Sequence, residues 1–222
     1  MQKDAGNSNE SRPPPRGRGR PRAFDRDEAL DRATRLFWEK GYEATSIADL
    51  TAAMGIGSPS LYAAFGSKEN LYAESLRHYR ERNEAIVWGR FFTADTAREA
   101  VNAYLTDSAA ALGGCIPDMP RGCMVTLSAV GSEGHSDLGD LVRANRHAGF
   151  ERLLMRLRQG VNDGDIPPGT DLNALARFVQ TVQSGMSILG RDGAGRSDLE
   201  AVAALAMLGW DARTGARPVN AG

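Results

Sequence analysis

Cysteine is nearly absent: Cys115 and Cys123 are the two in 222 residues. They are too few to staple a secreted fold of this size with disulfides, so a reducing, cytoplasmic setting is expected. Histidine is almost as scarce, with His78, His135 and His147 alone. In "EGHSD" the possible ligands Glu133, His135 and Asp137 alternate, whereas a helix brings positions i and i+4 together, so the spacing suits a metal poorly. No phosphate loop, nucleophile elbow or zinc motif is present, and Gly113-Gly114 lacks the preceding strand of a nucleotide loop. No catalytic residue, metal or cofactor is therefore expected, and an enzyme reading has nothing to stand on. Long apolar runs are missing too. Nothing approaches the roughly 20 residues of a bilayer span, and the Arg-rich start lacks the apolar segment of a secretory leader, so no membrane partner is expected. What remains is ordinary usage for a folding chain, 41% apolar and 25% charged.

An excess of positive charge is also lacking, since the formal net charge is -1. Binding a polyanion needs lysines and arginines facing its phosphates. Their distribution supplies what the total does not. "RPPPRGRGRPR", Arg12 to Arg22, holds five arginines and no acid. Residues 1–24 are rich in Gly, Pro, Ser and Asn, without apolar periodicity, and read as a disordered basic arm.

Folding begins after the arm. Ala29, Leu30, Ala33, Leu36 and Phe37 recur at helical spacing between an Asp25 cap and Gly41. Thr45 or Ser46 caps a second short helix from Ile47 to Ala53. In "MGIGSPSLYAAFGSKENLY", Gly55 and Gly57 bracket Ile56 as a tight turn; Ser58 caps a third helix with Pro59 at its first position, and Gly66 ends it. Ser67 starts a long fourth helix. Leu61 and Phe65 face inward, leaving Pro59, Ser60, Tyr62 and Ala63 outside. Two short helices about a glycine turn, the second presenting small residues at its start, is the helix-turn-helix layout suited to a major groove; an ordinary helical hairpin shares the pattern.

The stretch "ALDRATRLFWEKGYEATSIADLTAAMGIGSPSLYAAFGSKENLYAESL" resembles the N-terminal DNA-binding domain of the tetracycline-repressor (TetR) family of bacterial regulators. Phe37, Gly41, Thr45, Ile47, the Ala53/Gly55 turn, Ser60-Leu61-Tyr62, Phe65, Lys68, Glu69 and Leu71 stand where that family's pattern wants them. The resemblance covers about residues 25 to 76. It implies an all-α fold: a three-helix helix-turn-helix DNA-binding domain at 25–72, a helical ligand-binding and dimerisation domain at 73–215, and a flexible tail at 216–222. It further implies a homodimer on a palindromic operator of double-stranded DNA, released by a small-molecule effector. Carried over by position, Thr45, Tyr62 and Lys68 would contact phosphates, and Ser58, Pro59 and Ser60 would lie nearest base edges. Thr45 doubles as a cap; Tyr62 has packing, and Lys68 solvation, as its other reading. The third helix departs from strong base readers in offering no Arg, Asn or Gln before Phe65.

Residues 25–72 carry eight acids and five bases, a balance that binds a polyanion poorly unaided. "RGRPR", Arg18 to Arg22, resembles the core of an AT-hook, whose arginines enter a narrow A·T minor groove. Arg18, Arg20 and Arg22 are thus DNA-contact candidates; a plain linker is the other reading.

Beyond residue 90 the pattern stays helical: Ala97 to Leu112, Met124 to Val130, Ser136 to Asp163, Leu172 to Leu189 and Asp198 to Arg213. Leu172, Leu175, Val179, Val182, Met186 and Leu189 alternate steps of three and four, and Leu199, Val202, Ala206 and Gly209 echo them with smaller residues. That seam suits a four-helix dimer interface, or else a monomer core. An effector pocket is expected among the earlier helices, with Tyr104, Met119, Cys123, Met124, Leu127 and Phe150 as candidates. Cys123, after Arg121 and near a helix start, reads either as an electrophile or oxidant sensor or as a small buried packer. A nucleoid-type structural DNA protein, without an effector, is the alternative to a ligand-responsive repressor.

Deleting residues 1–22 should weaken operator binding and flatten its salt dependence, by about 0.9 in slope for each phosphate that is no longer neutralised. Binding titrations at several salt concentrations check this; unchanged affinity and slope contradict it.

Overall fold

The computed structural model describes residues 24–116, 119–132 and 134–215. The arm, with Arg18, Arg20 and Arg22, and the tail lie outside the described residues. Among the described residues every regular element is helical. The head comprises α1 (Arg26–Lys40), α2 (Ile47–Met54) and α3 (Ser58–Phe65); α4 (Lys68–Thr93) leaves it. Then follow α5 (Ala97–Leu112), the single turn α6 (Met124–Leu127), a 3-10 turn at Val130–Ser132, α7 (Ser136–Asn162), α8 (Leu172–Arg191) and α9 (Arg196–Thr214).

The termini follow local chemistry. Asp25 accepts the Asp27 and Glu28 amides to start α1, and Gly41, at φ 80°, ends it in a conformation that a side chain resists. Ser46 and Asp49 cap α2 reciprocally. Ser67 accepts the Asn70 amide to start α4. One cap shifts: Gly57 caps α3, so Ser58 is already its first residue and Pro59 its second. Ser58 is released from capping and stands exposed.

Two apolar cores result. One gathers Phe37, Leu50, Leu61, Phe65, Leu71 and Leu76 from α1 to α4 and extends to Met124 of α6, Val130 of the 3-10 turn, and Leu138 and Val142 of α7. The other joins α5, α7, α8 and α9 around Leu105, Leu153, Leu157, Val179 and Trp210. Each such large side chain contributes about 1.5–3 kcal/mol on burial. The expected boundary at residue 72 falls inside α4, which is one continuous helix. A bidentate Arg98–Asp211 pair, at 2.6 and 2.8 Å, ties α5 to α9. Among the described residues no helix is long and apolar enough to cross a membrane.

The heptad seam requires a correction. Leu175, Val179, Met186, Leu199 and Ala206 are buried within the protomer, and Leu172, Val182 and Val202 pack against the same core. Of the ten expected interface residues only Leu189 and Gly209 are exposed. The period of three and four describes the stripe that faces α5 and α7, because a helix in an antiparallel layer seats its most regular apolar stripe against its own bundle. A second apolar face points outward: Phe178, Ile188 and Leu189 on α8, Leu205 and Leu208 on α9.

Helices α5 and α8 approach closely at Gly190, where an added Cβ would stand 2.5 Å from the Leu112 carbonyl oxygen. Gly190→Ala should therefore destabilise by about 1–3 kcal/mol through overpacking. Urea unfolding measures it, and an unchanged midpoint contradicts the close approach.

Candidate nucleic-acid interface and its coupled cavity

Helix α3 buries Leu61 and Phe65 and leaves Ser58, Pro59, Ser60 and Tyr62 exposed at its start and around its outer surface. Tyr62 presents nearly half of its surface to solvent, at 48%. These are small or hydroxyl-bearing groups, so the face admits close backbone approach and hydrogen bonding but no bidentate guanidinium. Gly55, in the left-handed conformation, makes the turn that sets α3 across α2. Lys68, in the first turn of α4, holds its ammonium 4.1 Å from the centre of the Tyr42 ring. The Tyr42 hydroxyl donates to Glu69 at 2.9 Å. Burial and the Glu69 carboxylate push that phenol above its ordinary range. Backbone and hydroxyl donors at the start of α4 hold Glu69 below the usual carboxylate range.

Thr45 does not fit the expected role. It is fully buried and its hydroxyl donates to the Gly41 carbonyl at 2.6 Å. Capping falls to Ser46, and Thr45 instead satisfies the carbonyl left open where α1 ends, which removes it from any phosphate. The pattern of a hydroxyl before a helix could not distinguish these two adjacent residues.

Behind the head lies a cavity of about 510 Å³. Helix α4 crosses it with Tyr79, Arg80, Asn83, Glu84, Val87 and Trp88, while α5 supplies Tyr104, Ser108, Ala111 and Leu112. Of the expected lining residues, Tyr104, Met119 and Cys123 are there; Met124, Leu127 and Phe150 are not. Met124 packs into the head core and Phe150 into the C-terminal core beneath the Arg177 guanidinium, 3.8 Å away. Leu127 sits against Gly122, and within the single turn of α6 it is Val125 and Thr126 that line the cavity instead. The Cys123 amide donates to Ser187 Oγ at 2.8 Å. Burial raises the Tyr79 and Tyr104 phenols well above their ordinary value. Both cysteines are free thiols. Among the described residues no group of three or more His, Cys, Asp and Glu could hold a metal. His135 sits at the start of α7 and pairs with Glu43 at 3.0 Å.

The cavity wall and the head are fastened together. The Trp38 indole N–H, from the last turns of α1, donates to the Gly122 carbonyl at 3.0 Å. Arg191, ending α8, donates to the carbonyls of Trp38 at 2.8 Å, Glu39 at 3.0 Å and Arg121 at 2.9 Å. Trp38 itself lines the cavity beside Gly122 and Cys123. Sequence reasoning does not find this bridge. "RGC" is visible as a motif, but nothing in it says that the glycine at φ 77° hands its carbonyl to a tryptophan 84 positions away.

Residues 29–74 match the family model described as bacterial regulatory proteins, tetR family. The chain is 39% identical over 199 residues to the HTH-type transcriptional repressor ComR of Escherichia coli K12, covering 88% of this chain and 93% of that one. The chain belongs to the TetR family. It is also 32% identical over 201 residues to the repressor BdcR of the same strain, covering 85% of this chain and 90% of that one. Among solved structures, a cysteine mutant of the TetR-family regulator CifR, complexed with 26-bp double-strand operator DNA, shares 42% identity at a TM-score of 0.81, over 86% of this chain and 100% of that one. Membership accounts for α1 to α3 as a DNA-binding head. The family match ends at residue 74, inside α4, so the cavity and the Trp38–Gly122 bridge are read from this chain's own geometry.

Trp38→Phe keeps an aromatic ring in place but removes the donor to Gly122 together with part of a buried ring. A decrease of about 1–3 kcal/mol in stability is expected. Urea denaturation tests it, and wild-type stability would show that the bond contributes nothing.

Proposed function

We propose that this TetR-family chain is a transcriptional repressor that binds a two-fold operator as a homodimer and is released when a small molecule occupies its cavity. The observation that carries the reading is the shared wall: Trp38 belongs at once to α1 of the head and to the lining of the cavity. A ligand that reshapes the wall at Gly122 and Cys123 acts directly on the end of α1. Helix α4 offers a second route, because its first turns pack in the head and its later turns cross the cavity. Release requires that the effector bind the non-operator arrangement more tightly than the operator-bound one, and only that difference moves the population.

Ser58, Pro59, Ser60 and Tyr62 are the α3 side chains proposed to meet the major groove, with Lys68 at the adjoining phosphates. Their small size leaves room for a minor-groove contribution from Arg18, Arg20 and Arg22. The dimer contact is proposed on the outward faces of α8 and α9. There Leu205 and Leu208 are 68% and 59% exposed, far more than isolated apolar residues need explain. Gly209 of α9 lies beside the Phe178 ring of α8, which an added Cβ would meet in ordinary contact at 3.6 Å. The two helices thus present one surface to a second copy.

Replacing both leucines, Leu205→Glu with Leu208→Glu, should yield a monomer by light scattering and lower operator affinity on the order of 100-fold, since the two heads no longer act together. Footprinting of the wild-type protein on DNA upstream of its own gene should show one protected palindrome. A variant that stays dimeric, or uniform coating that salt removes, contradicts the proposal and favours a nucleoid-type protein.

A further inference from the structure

Resting on the reading of the cavity as an effector site, we propose that it takes an amphipathic organic anion, a carboxylate-bearing molecule with an apolar or aromatic body. Its inner surface is aromatic and aliphatic: Trp88, Tyr104, Leu112 and Leu153 lie against one another's helices behind the opening. Five arginines line it, Arg80, Arg143, Arg146, Arg152 and Arg177, against the single carboxylate of Glu84 among the described residues. That carboxylate is already engaged by Arg152 at 2.6 Å.

The pairing of the other arginines decides where an anion goes. Arg143 is matched by Asp140. Arg146 gives its hydrogens to the carbonyls of Val125, Thr126 and Ser128, so its geometry is fixed by the loop. Among the described residues Arg177 donates only to the neutral side chain of Gln180 while lying over the Phe150 ring. Arg80 has no carboxylate partner among the described residues. Arg80 and Arg177 are therefore cations on the rim of a partly desolvated cavity with donors to spare, and a guanidinium suits a carboxylate in bidentate geometry.

A second, independent observation points to an occupant. Ser108 is fully buried and lines the cavity, and among the described residues its hydroxyl has no hydrogen-bond partner; Asn145 Oδ1, also lining it, has none there either. Buried polar atoms normally find partners. A ligand with a polar group part-way along its body, besides the acid at the rim, supplies them. The volume of about 510 Å³ suits a compact molecule rather than a lipid or a peptide.

Trp38 and Trp88 both line the cavity, so intrinsic fluorescence reports occupancy. The test titrates the full-length protein with a panel of acids, phenylacetate, naphthaleneacetate, 4-phenylbutyrate and decanoate, each beside the alcohol of the same body. At least one acid should bind about tenfold more tightly than its alcohol, as a charge-assisted pair predicts. The double variant Arg80→Gln, Arg177→Gln should lower that acid to its alcohol's affinity and leave the alcohol unchanged. Thermal melting confirms that the variant is folded. Alcohols that bind as tightly as acids, an acid affinity indifferent to both arginines, or no binding by any acid each overturn the proposal. Operator release, measured on the same samples, separates the two readings: an acid that binds through the arginines and leaves the operator complex intact confirms the ligand class and overturns the effector role.

Discussion

The carbonyl oxygen of Gly122 is where the wall of the cavity is hydrogen-bonded to the head. It accepts the Trp38 indole proton at the end of α1, and its own residue sits in a left-handed conformation wedged between α6 and α8, where an added Cβ would stand 2.8 Å from the Ser187 carbonyl oxygen. Only glycine meets both demands at once, the backbone sign and the lack of room. The next residue, Cys123, is cavity wall. Arg191 then clamps the loop to the head by holding carbonyls on both sides. The head is therefore docked through directional hydrogen bonds at one point as well as through the apolar continuation of its core into α6 and α7.

This arrangement explains how a shallow event in the cavity can matter to α3. Apolar packing is tolerant of sliding, whereas an indole N–H aimed at one carbonyl has a narrow range of acceptable positions. In the proposed reading, a ligand that displaces the wall by an ångström or more would either break that bond or carry α1 with it. Two such discrete arrangements are what a regulator needs, and the coupling runs in both directions by thermodynamic necessity. The buried hydroxyl of Ser108 and the spare guanidinium groups of Arg80 and Arg177 show where the cavity still has interactions to make.

Local structure is legible in the sequence because it rests on near neighbours. Asp25, Ser67, Gly41 and Gly66 act where their chemistry puts them, and the long helices follow the spacing of apolar residues, whereas the helix expected from Met124 to Val130 is a single turn ending at Leu127 and a separate 3-10 turn. Legibility fails where two local readings are equivalent and distant packing chooses between them. Thr45 and Ser46 are both hydroxyl residues before a helix, and only the burial of Thr45 against Gly41 separates them. The stripe on α8 from Leu172 to Met186 announces an apolar face without saying what covers it; the core takes it, and the residues left outside, Phe178, Ile188, Leu205 and Leu208, form a less regular pattern that spacing alone would not select. Tyr104, Met119 and Cys123 are found as cavity residues because the family resemblance implies a pocket in that half. The arginines of its rim escape notice because a charge on a helix surface looks the same whether it faces solvent or a cavity.

The central claim is that operator and cavity are coupled through the Trp38–Gly122 contact. Hydrogen exchange, with and without a duplex selected from a random pool for tight binding, tests it most directly. Coupling predicts that the duplex changes exchange in the cavity wall, residues 119–127, together with the end of α1, as well as in α2 and α3. Changes confined to residues 45–70, with the wall exchanging alike in both states, would contradict it.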